Sequence, residues 1–176
     1  MKHLPLLLAL AGLSAAAQAA DYSLQAGKDY YQFSRTPQGA GIGLTLDYID
    51  HKDHGSAGGA GLEFALPLGR LTLAGGGKLM ALDPDSGSGT AALLGGRASF
   101  ELAPKISLYG QAYYAPSSFS SGSVDKVSDV GAGVRWNVFG PLAVDAGYRY
   151  FDISRSEDSR SRKLADGWYL GAGLVF

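Results

Sequence analysis

A period of two recurs through this chain and limits what it can fold into. Residues 39–50, 57–68, 71–82, 90–102, 106–115, 129–139, 142–151 and 167–176 each alternate an apolar residue with a polar or very small one. Successive side chains of a strand point to opposite faces, so this is the strand period and not the helical one. In 57–68 one face reads Ala60, Leu62, Phe64, Leu66 and Leu68; in 129–139 it reads Val130, Ala132, Val134, Trp136 and Val138. Across all these stretches that face holds no Asp, Glu, Lys or Arg. The opposite face holds Asp47, Glu63, Lys78, Arg97, Glu101, Asp129, Arg135, Asp145 and Arg149, among many glycines.

Two all-β architectures alternate in this way. A soluble sandwich turns its apolar face inward; a transmembrane barrel turns it to lipid. Three features favour the barrel. Tight links at Gly69-Arg70, Ala103-Pro104-Lys105 and Gly140-Pro141 alternate with longer polar links at 51–56, 83–89, 116–128 and 152–166. Short turns at one rim and long loops at the other are the pattern of outer-membrane barrels. Aromatic residues sit at the ends of the stretches. Tyr48, Tyr114, Tyr150 and Trp168 lie beside the long links, and Phe100, Trp136 and Phe176 beside the tight ones. That is one girdle at each membrane interface. About ten residues per stretch is also what a tilted spanning strand requires. In lipid the sheet must close, because an open edge leaves backbone groups unpaired. The expected fold is therefore an antiparallel transmembrane β-barrel of eight strands, the count being even if both ends face the periplasm. Residues 20–38 are expected to form a periplasmic-side segment or a short extra strand, in which Tyr22, Leu24 and Ala26 alternate with Ser23, Gln25 and Gly27. Were one of the eight stretches two merged loops, this segment would be strand one.

The chain opens with a positive Met1-Lys2-His3, an apolar run from Leu4 to Leu13, and Ala17-Gln18-Ala19. Those are the three parts of a secretory signal peptide. The run is shorter than the roughly 17–25 residues of a transmembrane helix. Residues 1–19 are expected to be cleaved, leaving 20–176 as the barrel. Without Lys2 the chain carries 14 basic residues against 16 acidic ones. That balance argues against nucleic acid as a partner. There is no cysteine, although the periplasm permits disulfides. Mean hydropathy is near zero, because inward polar residues cancel outward apolar ones in any averaged window.

The tail Gly167-Trp168-Tyr169-Leu170-Gly171-Ala172-Gly173-Leu174-Val175-Phe176 resembles the last strand of outer-membrane proteins, read by the barrel-assembly machinery. Trp168, Leu170 and Phe176 would carry that signal. Further stretches resemble the YfaZ family of outer-membrane proteins. They are Gly27-Lys28-Asp29-Tyr30, Leu66-Pro67-Leu68-Gly69, Ser107-Leu108-Tyr109-Gly110 running to Tyr113-Tyr114-Ala115-Pro116, and Gly147-Tyr148-Arg149-Tyr150-Phe151-Asp152. The resemblance covers most of residues 20–176. It implies an outer-membrane location and carries over no functional residues.

The inward charges nearly balance, whereas an ion-selective pore shows a ring of one sign. The expectation is a lumen plugged by ion pairs. With a turn centred on Gly140, Arg135 and Asp145 face each other. Glu63 and Lys78 lie opposite or diagonal across Gly69-Arg70. Glycines on the inner face leave room for water, which keeps a narrow solute channel as the second reading. A rim enzyme comes third, since His51 and His54 lie with Asp50 and Asp53 in the first long link. Lys52 sits in the middle of that cluster and argues against a metal there. The Asp83-Pro84-Asp85-Ser86-Gly87-Ser88-Gly89 stretch lacks the distal Glu of a calcium loop. No cofactor and no catalytic activity are expected. The expected partners are outer-membrane lipid, the assembly machinery and lipopolysaccharide, whose phosphates would meet Arg155, Arg160, Arg162 and Lys163 in the last long link.

Overall fold

The computed structural model describes residues 19–51, 55–83, 88–122, 124–155 and 162–176. The signal-peptide reading thus falls on residues that, but for Ala19, lie outside it. The strands are β1 (Ala20–Gly27), β2 (Tyr30–Pro37), β3 (Gly41–His51), β4 (Gly55–Leu68), β5 (Leu71–Asp83), β6 (Gly89–Ala103), β7 (Ile106–Ala115), a short β8 (Ser120–Gly122), β9 (Val124–Phe139), β10 (Leu142–Arg155) and β11 (Arg162–Val175). Each neighbouring pair is antiparallel, and β5 pairs with β6 as well as β4, which closes the sheet on itself. Among the described residues ten strands make the ring, and β8 continues the wall beside Gly89, Thr90 and Ala91 of β6.

The expected count of eight is therefore corrected to ten. All eight stretches are strands of the ring. The two additional strands are β1 and β2, a hairpin where one segment was expected. β1 pairs with β11, Tyr22 opposite Leu174 and Leu24 opposite Ala172, and Ala20 and Phe176 exchange backbone hydrogen bonds. This hairpin is hard to read because it reverses in two residues, Lys28-Asp29. Each arm has only eight residues, and β2 puts Arg35 on the face that carries Tyr31 and Phe33. An even count keeps both ends of the described barrel on one side.

That side also carries the links 38–40, Gly69-Arg70, Pro104-Lys105 and Gly140-Pro141. It is called the turn end below. Gly69 and Gly140 adopt φ of 68° and 52°, the left-handed backbone that a two-residue reversal asks for and that glycine supplies without strain. The loop end carries Lys28-Asp29 and the connections that leave β3, β5, β7 and β10.

The charge-free face is the outer wall. Ile42, Leu62, Phe64, Leu79, Leu94, Leu170 and many like them are exposed. Tyr48, Tyr114, Tyr148 and Trp168 stand outward toward the loop end, and Phe100, Trp136 and Phe176 toward the turn end. Tyr150 is half-buried with Lys163 over its ring. In water such a surface would be an aggregation hazard; against lipid it is what a barrel wall must be.

Candidate functional site: the filled lumen

The interior is layered from the turn end to the loop end. At the turn end Arg135 on β9 faces Asp145 on β10 in the register expected from Gly140, with N···O of 3.2 Å. The same guanidinium bonds Asp21 of β1, and Ser23 donates to Asp145 at 2.9 Å. One layer further in, Arg97 pairs with Glu63 at 2.9 Å, and the Tyr113 hydroxyl donates to Glu63 at 2.8 Å. A polar cavity of about 100 Å³ lies among these two layers, bordered by Ser34, Thr36, Thr72 and Ser99. Tyr109 closes its inner side, bonded to the Tyr169 hydroxyl and accepting from Gln25.

Beyond the tyrosines lies a four-membered box of charges from four strands. Lys78 reaches Asp129 at 2.8 Å and Asp47 at 3.2 Å. Arg149 reaches both carboxylates at 2.8 Å. Gln32 donates to Asp47 at 2.7 Å. The rings of Tyr113 and Tyr30 lie under Lys78 and Arg149, 4.4 and 4.7 Å from their cationic centres. All four charged side chains are at most 1% exposed. Two cations and two carboxylates leave the box without net charge, which is the condition for burying ions at all.

Nearest the loop end the interior becomes apolar. Ile49, Met80, Leu82, Leu93, Val127, Phe151, Ile153 and Leu164 pack into one core, each 2% exposed or less. The two-residue step along each strand from the box reaches this core: Asp47 to Ile49, Lys78 to Met80, Asp129 to Val127, Arg149 to Phe151.

Eight of the nine inward charges expected from sequence are thus joined in ion pairs. Glu101 stands exposed at the turn end of β6, away from them. Glu63 and Lys78 stand diagonal to each other across the Gly69-Arg70 turn, one of the two relations expected. Lys78 lies opposite Gly61 and Glu63 opposite Gly76, a diagonal relation, and each turns to partners on other strands. The expectation of water over the inner glycines fails where neighbours cover them. A Cβ on Gly133 would stand 2.7 and 2.8 Å from the hydroxyls of Tyr169 and Tyr109, and one on Gly61 would stand 2.7 Å from Cγ of Lys78. These glycines are seats for large side chains from adjacent strands.

Sequence reasoning missed Asp21, Gln32 and the four inward tyrosines. Asp21 and Gln32 lie in residues 20–38, expected as a periplasmic-side segment or a short extra strand. The alternation puts Tyr109, Tyr113 and Tyr169 on the inward face, but nothing in it singles them out as partners of the charges. The apolar core was missed too, although it leaves a signal: Leu79-Met80-Ala81-Leu82 and Ala91-Ala92-Leu93-Leu94 are apolar on both faces. Lys52, Asp53, His54, residues 84–87 and residues 156–161, Arg160 among them, lie outside the described residues, while Arg155 ends β10 and Arg162 opens β11. Ser88 and Gly89 of the calcium-like stretch are described, Gly89 opening β6. Lys163 is described, half-exposed and paired with Asp166 at 2.8 Å.

Comparison with known proteins bears on the whole chain. The family described as "YfaZ precursor" matches residues 2–176. "Outer membrane protein YfaZ" of Escherichia coli (strain K12) is 35% identical over 178 residues, 96% of this chain and 98% of that protein. Among solved structures, the NanC porin aligns with a TM-score of 0.45 at 10% identity, over 91% of this chain and 99% of that one. OmpT of Vibrio cholerae, in its trimer form, aligns with a TM-score of 0.44 at 11% identity, over 84% of this chain. The chain spans about half of that protein's length, 55%. The match over nearly the entire sequence, and a relative of the same extent with the outer membrane in its name, support one assignment: this bacterial outer-membrane β-barrel belongs to the YfaZ family.

Proposed function

We propose that this protein is a non-enzymatic, non-conducting barrel whose role in the outer membrane is structural or lies in surface interactions through its loops. The observation that carries this reading is the Lys78–Asp47–Arg149–Asp129 box directly beneath the apolar core. A hydrated path would have to pass four buried charges paired with one another, then side chains that offer water no hydrogen bonds. Breaking either layer costs several kcal/mol, since unpaired buried ions and opened apolar cores are both expensive. The test is single-channel recording of the refolded barrel in a planar bilayer. A folded, heat-modifiable protein with no steady openings agrees with the proposal. Reproducible openings of constant size, lost on unfolding, refute it.

A narrow channel for small solutes is the second reading, and one observation favours it. The turn-end half of the lumen holds the polar cavity, where Arg97, Arg135 and Asp21 are 17, 14 and 23% exposed. A channel would have to continue from there through the tyrosines. Its conductance would change on replacing Arg97 or Arg149.

A further inference from the structure

The outer wall carries its own charges, and they are distributed unequally between the two ends. At the turn end the outward or turn-borne charged side chains are Arg35, Arg70 and Lys105. No Asp or Glu points outward there among the described residues. Asp21 is turned into the lumen toward Arg135; Glu101 follows Arg97 and Ser99 in the inward register but is exposed at the rim, its N–H bonded to the Arg70 carbonyl at 2.8 Å, so it is the one rim carboxylate among the described residues beside these cations. At the loop end exposed Asp50, Asp83 and Asp166 mix with exposed Lys28, Lys126 and Lys163, so no single sign prevails.

The two turn-end arginines are held in the same manner. Arg35 donates from Nη1 to the carbonyl of Ile42 at 3.3 Å, near the start of β3. Arg70 donates from Nη2 to the carbonyl of Leu102 at 2.8 Å, near the end of β6, with its guanidinium 5.8 Å from the centre of the Phe100 ring. In each, one guanidinium nitrogen is pinned to a strand-end carbonyl. Nε of Arg35 is buried and has no hydrogen-bond partner among the described residues. Beside Arg35, Tyr22 is its cross-strand neighbour and packs on Phe33 and Phe176 at 6.3 Å between ring centres. Guanidinium groups at the level of an aromatic girdle lie at headgroup depth, where their fork matches a phosphate's oxygens.

We infer that the turn-end rim grips the headgroup phosphodiesters of phospholipids in the leaflet it faces, through Arg35, Arg70 and Lys105. The three cations lie on β2, the β4–β5 turn and the β6–β7 turn. They are spread along one arc of the wall, so each meets a separate headgroup. The inference is independent of whether the lumen conducts.

The experiment is native mass spectrometry of the barrel in a non-ionic detergent, titrated with phosphatidylglycerol. Parallel titrations use a phosphate-free diacyl glycolipid and inorganic phosphate. Each cation near an anionic lipid contributes roughly fivefold in affinity. The triple variant R35Q/R70Q/K105Q is expected to lose at least about tenfold in phosphatidylglycerol retention, while K126Q/K163Q at the loop end retains it. Should the triple variant fail to fold, R70Q alone, on an exposed turn, is expected to lose roughly fivefold. Unchanged retention in the triple variant, or in R70Q when it stands in, overturns the inference. So does an equal loss in the loop-end control, or equal retention of the phosphate-free lipid. Displacement of phosphatidylglycerol by an equal concentration of inorganic phosphate would make the ligand a free anion and also overturn it.

Discussion

The charge box makes a quantitative prediction. Asp129 is fully buried and accepts three charge-assisted hydrogen bonds at 2.8 Å, one from Lys78 and two from Arg149. Asp129→Asn preserves its shape and removes its charge. The amide presents one oxygen in place of two, and its NH2 group points donors at a cation. Two buried cations are left facing the single carboxylate of Asp47. At an effective dielectric of 20, one missing unit charge at about 4 Å is worth about 4 kcal/mol. Removing one partner of a buried pair typically costs about 3–5 kcal/mol. Salt screens little where side chains are at most 1% exposed. Asp129→Asn is therefore expected to destabilise the barrel by about 3–5 kcal/mol in guanidinium unfolding from lipid vesicles. Fluorescence of Trp136 and Trp168 reports the transition. Adding Lys78→Met restores neutrality and leaves the 2.8 Å Arg149–Asp47 pair. The double variant is expected to recover about 2 kcal/mol, a coupling typical of residues in one network. If Asp129→Asn costs under about 1 kcal/mol, the box behaves like an exposed pair and the reasoning fails. It fails equally if Lys78→Met deepens the loss.

Three further outcomes are expected. Gly147→Val places a Cβ 2.6 Å from Cζ of Tyr169 and should cost about 1–3 kcal/mol by overpacking, whereas Gly75→Ala, with its nearest atom at 4.0 Å, should stay within about 0.5 kcal/mol in the same unfolding assay. Leu62→Arg on the outer wall, where Leu62 is 61% exposed, should cost about 2–4 kcal/mol in vesicles and far less in a detergent micelle that lets the side chain reach water. Phe176→Ala should slow the appearance of heat-modifiable barrel in pulse-labelled cells while the purified chain still refolds, which separates an assembly signal from a packing role beside Tyr22.

The sequence reveals the wall better than it reveals the interior, and the reason is physical. Lipid imposes one requirement on every outward residue, so each of the eight long stretches repeats the same pattern. The lumen imposes only local requirements of charge balance and volume. Arg135 and Asp145 were legible as partners because a tight turn fixes their register. Lys78 was not, because its partners Asp47 and Asp129 come from β3 and β9, and nothing local in sequence specifies which strands meet across a ring. Closure with ten strands instead of eight also changes who faces whom. The hairpin of β1 and β2 escaped because its short arms and two-residue reversal give each strand few alternations to count, and Arg35 interrupts the outward face.

The apolar core follows from strand length and the bilayer together. A tilted strand needs about 9–11 residues to span the hydrocarbon, but β6 has 15 and β9 has 16. The surplus lies beyond the membrane, where the outer face meets water. There the polarity rule inverts: polar residues turn outward, as Asp50 and Asp83 do, and apolar ones turn inward, as Ile49 and Leu82 do. Polar and apolar inward residues therefore meet at one level, and the last polar layer has apolar side chains directly above it. Ions at such a level cannot borrow water from the loop side, so they must neutralise one another. Asp47, Lys78, Asp129 and Arg149, each two residues from a core side chain, are that layer. In this reading the box marks where the membrane-spanning part of the barrel ends and a water-soluble β-core begins.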